Sequence, residues 1–296
     1  MLCRILLVET FMIKDKAIGV ISICSKSHAD VWKLTSNFLP QFVKANSYQV
    51  FVPEVEVDFF KSITSERIEV RAQEELSAKF VGLLNEKFEN SLNPKRFGWY
   101  LQQFLKIEAL RQCPTEYVAI WDADCVPVKE IELMNNQNQP VYVDSSREFH
   151  SDYFDNIERL LGMKRIQPLS FVIPGFPIKK SWIDEFIDFV EERHQTKWYQ
   201  AIMNSTNFEL PSGFSETETL GTWIANTYPE EWSTRPGTWE RYGQSRFGFA
   251  RRMTPSRLLE IGDEFNLEII TFENWDTRGY RRIVRALKKI KSRYSR

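Results

Sequence analysis

Apolar residues along this chain fall into short continuous runs that alternate with helical stripes. Ala17–Cys24 is nearly unbroken apolar sequence and reads as a core strand, followed by the polar turn Ser25-Lys26-Ser27-His28. Residues 29–39 carry Val31, Leu34 and Phe38 at helical spacing. Tyr48–Val52 reads as a second strand stopped by Pro53, residues 55–62 as a short helix, and Arg67–Val70 as a third strand. After Asn93-Pro94, residues 97–112 predict a strong helix with Phe97, Leu101, Phe104 and Leu105 as its apolar stripe. Trp99, Gln102, Gln103 and Lys106 share another face. Cys113-Pro114 ends that helix, and Tyr117-Val118-Ala119-Ile120-Trp121 follows as a buried strand. Val141–Asp144 reads as a further strand, and Phe171–Pro177, with two prolines, as an edge strand and turn. Helices are expected near 181–193 and 216–226, ordered loops over 228–249, and a last helix from about 279. Strands alternating with helices predict an α/β fold, a mostly parallel central sheet with helices on both faces.

Composition agrees with a globular protein: 43% of the 296 residues are hydrophobic and 27% charged, enough for a sizeable core. No apolar run reaches the ~20 residues of a membrane span. The first eight residues are too soon interrupted by Glu9 to read as a signal peptide. Four widely spaced cysteines form no Cys-x-x-Cys pair, so reduced thiols and no zinc site are expected. Charge is uneven. Residues 278–296 hold nine Lys/Arg and no acid, leaving 30 basic against 40 acidic groups, a net of −10, on the rest. The expected organisation is a domain over 1–277, in two parts at 17–144 and 145–277, with a basic tail at 278–296.

The most informative residues are Asp122-Ala123-Asp124, two carboxylates one residue apart where a buried strand leaves the sheet. Carboxylates beside a core are costly unless paired, and hard oxygen ligands suit Mn2+ or Mg2+. In an extended chain the two side chains point the same way, so that both share one metal or one holds the metal while the other touches a ligand. A second constellation is Ser215-Glu216-Thr217-Glu218. Ser followed three residues later by Glu is a capping box opening a helix. The histidines His28, His150 and His194 show no ligand spacing, and no phosphate-binding glycine loop is present.

Phe97-Gly98-Trp99-Tyr100-Leu101-Gln102-Gln103-Phe104-Leu105-Lys106 followed by Tyr117–Asp124 resembles the nucleotide-sugar glycosyltransferases of the GT-A fold. It is most similar to a bacterial group with a Gly-Trp-Tyr-x-Gln-Gln helix before the Asp-x-Asp strand. The resemblance implies a single GT-A-like (Rossmann-like) catalytic domain, with 17–144 as its nucleotide-sugar-binding part and 145–277 as its acceptor-side part, and a metal-dependent transfer of sugar from a UDP- or GDP-sugar to a glycan or lipid-linked glycan. Asp124 would be the firmer metal ligand, and Asp122 would contact the metal or the donor ribose. Gln102, Gln103 and Lys106 would supply donors to the nucleotide or hold the acidic pair. Ser25 and Lys26 follow the first strand, where this fold meets the nucleotide base. The Ser215–Glu218 stretch resembles a Ser-Glu-x-Glu segment of the same group, which makes Glu216 or Glu218 the candidate general base. Some such enzymes add a late His to the metal; this chain has none after His194, and Asp263 and Asp276 are weak substitutes.

Two other readings stand beside this one. A haloacid-dehalogenase-type phosphatase also places Asp-x-Asp after a strand, with the first Asp as nucleophile. It carries the motif near the start of the chain, unlike position 122. The tail forms a basic amphipathic helix with Ile283, Val284, Leu287 and Ile290 on one face. It suits peripheral contact with an anionic membrane through 279–296, and a nucleic-acid-binding role less well, because the body is acidic.

Overall fold

The computed structural model describes residues 17–89, 91, 93–144, 148–210 and 212–276. The basic tail, and the membrane and nucleic-acid roles read from it, lie outside the described residues. Strands β1 (Ile18–Ile23), β2 (Ser47–Val52), β3 (Glu69–Ala72) and β4 (Tyr117–Trp121) alternate with helices α1 (Ala29–Phe42), α2 (Val57–Ile63), α3 (Glu74–Ser77), α4 (Val81–Glu89) and α5 (Phe97–Gln112). There follow β5 (Cys125–Pro127), β6 (Val141–Asp144), α6 (Ser151–Leu161), β7 (Gly175–Lys179), α7 (Lys180–His194), α8 (Trp198–Ser205) and α9 (Glu216–Thr227). The described chain closes with β8 (Ser233–Pro236), β9 (Trp239–Glu240), α10 (Gly243–Phe247), α11 (Pro255–Glu264) and β10 (Ile269–Thr271).

The main sheet has the order β3-β2-β1-β4-β7. The first four strands run parallel; β7 lies antiparallel on β4 at the edge. Pro177 is accommodated there because an edge strand leaves one side without a ladder. Both faces are covered. On β4, Val118 and Ile120 enter one apolar cluster with α5, α7 and α9, while Tyr117, Ala119 and Trp121 enter another that includes Trp32 and Leu39 of α1. Covered on both sides, these strands are apolar throughout instead of alternating. This is the mostly parallel, helix-flanked sheet expected of a GT-A-like protein.

Two small sheets, β5-β10-β9 and β6-β8, lie outside the main one. The 228–249 stretch, expected as loops, supplies β8, β9 and α10. Its strands are two and four residues long, too short to show a period. Helix α9 is buried from Glu216 to Ala225. A Cβ on Gly221 would stand 2.0 Å from the Phe171 ring. Gly221→Ala is therefore expected to cost about 1–3 kcal/mol by overpacking, read from denaturant midpoints. Among the described residues, no helix is long and apolar enough to cross a membrane.

Candidate active site

Strand order reverses between β1 and β4: β2 and β3 lie on one side of β1 and β7 on the far side of β4. In open α/β sheets ligands bind beyond the carboxyl ends of the strands at such a switch point. Ser25 and Lys26 leave β1 at that edge, and Asp122 and Asp124 leave β4 beside them. The edge is tied together by Ser22 Oγ donating to Trp121 O at 2.8 Å.

The acidic pair is not extended. Cys125 N–H donates to Asp122 O at 3.0 Å, so residues 122–125 close a turn. The expectation of an extended pair therefore does not hold, and the two carboxylates have different hydrogen-bond partners. Asp122 Oδ1 accepts from Lys106 Nζ at 2.7 Å. Among the described residues, Asp124 Oδ1 has only the Cys125 thiol as a hydrogen-bond partner, at 3.5 Å. The Asp124 carbonyl accepts from Phe272 N at 2.9 Å, which brings the end of β10 to the site.

Lys106 also donates to Glu216 Oε1 at 2.7 Å. One ammonium thus joins carboxylates that lie 16 and 110 residues away in sequence. Gln103, one turn earlier on α5, accepts the Glu216 N–H through Oε1 at 3.1 Å. Gln103 and Lys106 hold the main chain and side chain of the first residue of α9. All three residues are buried. Burial by itself would lower the Lys106 ammonium; Asp122 and Glu216 outweigh it and hold it above the ordinary lysine range. The polar face of α5 is accordingly turned inward. Lys106 and Gln103 hold the acids, and Gln103 Nε2 is a buried donor with no partner among the described residues. Gln102 is half-buried beside them.

Glu218 points elsewhere, as residues two apart on a helix do not share a face. Its N–H donates to Ser215 Oγ at 3.3 Å, the first half of the expected capping box. Its carboxylate accepts from Ser170 Oγ at 2.9 Å and Phe171 N at 3.0 Å, with Arg165 Nε 3.9 Å away. It anchors the loop before β7, and burial raises its carboxyl above the usual range. Lys26 N–H donates to Glu56 Oε2 at 2.8 Å and its ammonium lies over Phe59, while Ser25 Oγ meets Ser27 Oγ.

Sequence reading missed Glu273. Burial raises its carboxyl to about 8, helped by Asp124 and Asp122 and opposed by Arg241. Asp124 is raised for the same reasons: burial first, then Asp122. His28, which shows no ligand spacing, faces Asp124 with the opposite effect. No local pattern marks Glu273; only the β5–β10 pairing delivers it. Of the proposed substitutes, Asp276 accepts from Ser245 N at 2.9 Å, and Asp263 is exposed on α11. Among the described residues no group of three or more His, Cys, Asp or Glu is arranged to hold a metal ion. The three described cysteines, Cys24, Cys113 and Cys125, are buried free thiols.

Raised carboxyls bind protons in the folded state that the unfolded chain has already released. The folded protein therefore loses stability as pH rises from the unfolded carboxylate range toward about 8. Glu273→Gln is expected to flatten that decline by more than about 1 kcal/mol across pH 5–8. Thermal unfolding of both proteins over that range reads it; parallel curves would show that Glu273 titrates as in water.

Residues 20–220 match the model of DUF6492, described as a family of unknown function, and the chain belongs to that family. No curated protein sequence matches it. Among solved structures it is similar to mouse xyloside xylosyltransferase 1 in its apo form, at 9% identity and TM-score 0.49, over 87% of this chain and 98% of that one. It is also similar to the apo structure of WbbM, a bifunctional glycosyltransferase, at 12% identity and TM-score 0.42. That match covers 88% of this chain and 46% of WbbM.

Proposed function

We propose that the protein is a metal-dependent glycosyltransferase that moves a sugar from a nucleotide-diphosphate sugar to a glycan or lipid-linked glycan. The observation that carries this reading is the meeting of Asp122, Asp124, Lys106 and Glu216 at the switch point of a parallel sheet.

The donor set fits a hard cation. A divalent ion shared with a diphosphate needs only one or two protein carboxylates, the rest of its ligands being waters and phosphate oxygens. Asp124 is the freer of the pair, since Asp122 is engaged by Lys106, and Glu273 faces both. Asp124 would hold Mn2+ or Mg2+, with Asp122 beside it. When bound, the ion offsets the charge that grows on the departing diphosphate. Lys106 holds Asp122 and Glu216 in place, so the reacting centre is ordered before substrate arrives.

Glu216 is the candidate base nearer the metal-side carboxylates. Glu218 keeps one oxygen, Oε1, without a hydrogen bond among the described residues. Glu216→Gln is expected to leave nucleotide binding intact and to slow transfer by 10²-fold or more, roughly the weight of a general base. Equal turnover in Glu216→Gln and wild type would remove Glu216 from the chemistry.

The reading as a whole is tested by a panel of UDP- and GDP-sugars with and without Mn2+, read by thermal shift. A rise in unfolding temperature that needs both nucleotide and metal is expected. No response to any member would overturn the reading.

A further inference from the structure

All nine tryptophans lie within the described residues; eight are buried or half-buried, and Trp275 is exposed at 48%. An indole is a large apolar surface to leave in water, and this one borders the candidate site. Glu273 stands two residues before it, and Phe272 N–H, one residue further back, donates to Asp124 O at 2.9 Å, which sets this stretch against the acidic pair. Arg241 lies 5.6 Å from the Trp275 ring centroid and 3.8 Å from Glu273. Tyr242, 53% exposed, meets Trp275 edge-on, with centroids 5.7 Å apart and ring planes at 82°. Arg241 also pairs with Glu148, and the next residue, Phe149, is 70% exposed.

We propose that Trp275 and Tyr242, with Arg241 and Glu148 beside them, form a saccharide subsite in which one face of a pyranose ring lies on the indole. This rests on the transferase reading above and assigns the residues that would hold its acceptor sugar. The chemistry is that of a sugar: a pyranose offers a flat patch of C–H groups rimmed by hydroxyls. It needs an aromatic face bordered by groups that donate and accept. A protein partner favours a contiguous apolar patch with few charges at its centre. Here charge stands beside each aromatic residue, with Arg241 against the Trp275 ring and Glu240, paired with Arg246, accepting the Tyr242 N–H at 2.9 Å.

The test titrates the full chain with a panel of methyl hexopyranosides and methyl N-acetylhexosaminides by ligand-observed NMR. Wild type, Trp275→Ala, Trp275→Phe and Tyr242→Ala are compared, and UDP and GDP with Mn2+ are measured on the same samples. At least one glycoside is expected to bind wild type. Its affinity is expected to fall about tenfold in Trp275→Ala, the weight of one aromatic contact, and to stay within about threefold in Trp275→Phe. Nucleotide affinity is expected to stay unchanged throughout. If Trp275→Ala fails to fold, a weaker glycoside affinity in Tyr242→Ala carries the same meaning. The subsite is overturned by undiminished glycoside binding in Trp275→Ala, or by a wild type that binds nucleotide and no glycoside. It is equally overturned if Trp275→Ala loses nucleotide affinity instead, or if light scattering shows a wild-type dimer that the variant dissolves. A wild type that binds glycoside through Trp275 but no nucleotide would sustain the subsite while removing the donor reading.

Discussion

Lys106→Met is expected to destabilise the protein by about 3–5 kcal/mol, the cost of removing one partner from a buried ion pair. The reason lies in the count of charges. Lys106 is the single ammonium bonded to both Asp122 and Glu216, and Glu216 is nearly inaccessible. Without the lysine, two carboxylates remain face to face, and one of them must take up a proton. The loss should therefore grow as pH rises from 5 to 8, because the unfolded chain needs no such proton. Adding Glu216→Leu to the variant removes the stranded carboxylate and should restore more than half of the lost stability. Urea titrations of the two single variants and the double variant measure this. A cost below about 1 kcal/mol for Lys106→Met would mean that water already screens the cluster.

The same cluster shows how far the sequence reaches. Asp122 and Asp124 were legible because five apolar residues lead into them, and burial of a run marks the residue that leaves it. Lys106 was half legible: its face of α5 was recognised as polar, and that it would hold the acidic pair was one of two expectations. That this face is buried was not visible, since its cover is α9, more than a hundred residues later. The Glu216–Lys106 pair depends on that packing and on nothing local. The turn at Asp122–Cys125 was missed because an Asp-x-Asp after a strand is equally compatible with continued extension; the β5–β10 ladder pulls it back. Glu273 and Trp275 were missed for the same reason, as β10 is three residues long and carries no period. The capping box was read correctly in its Ser215–Glu218 backbone bond. The return bond is replaced by a tertiary one, because the Glu218 carboxylate has Ser170 and Phe171 within reach.

Asp124→Asn is expected to separate stability from function. Wild type should gain about 2.7 kcal/mol from nucleotide and Mn2+ at a hundred times their dissociation constant, a rise of roughly 4–5 °C for a chain of this length. The variant should gain nothing. Its stability without ligand should stay level or increase, because Asp124 is a carboxyl held above its usual range by burial and by Asp122. An amide of the same shape carries no charge to bury and relieves both Asp122 and Glu273. A site that strains the empty protein and is relaxed by its ligand has this signature: the residue that binds is the residue that destabilises. Lys106→Met gives the opposite pattern, because there the native side chain is the cation between two carboxylates. Thermal shift on Asp124→Asn with and without UDP or GDP and Mn2+ reads both halves at once. An undiminished response to nucleotide and metal would remove Asp124 as a ligand. A large loss of stability without ligand would show that its charge is paired by a group beyond Cys125 and His28.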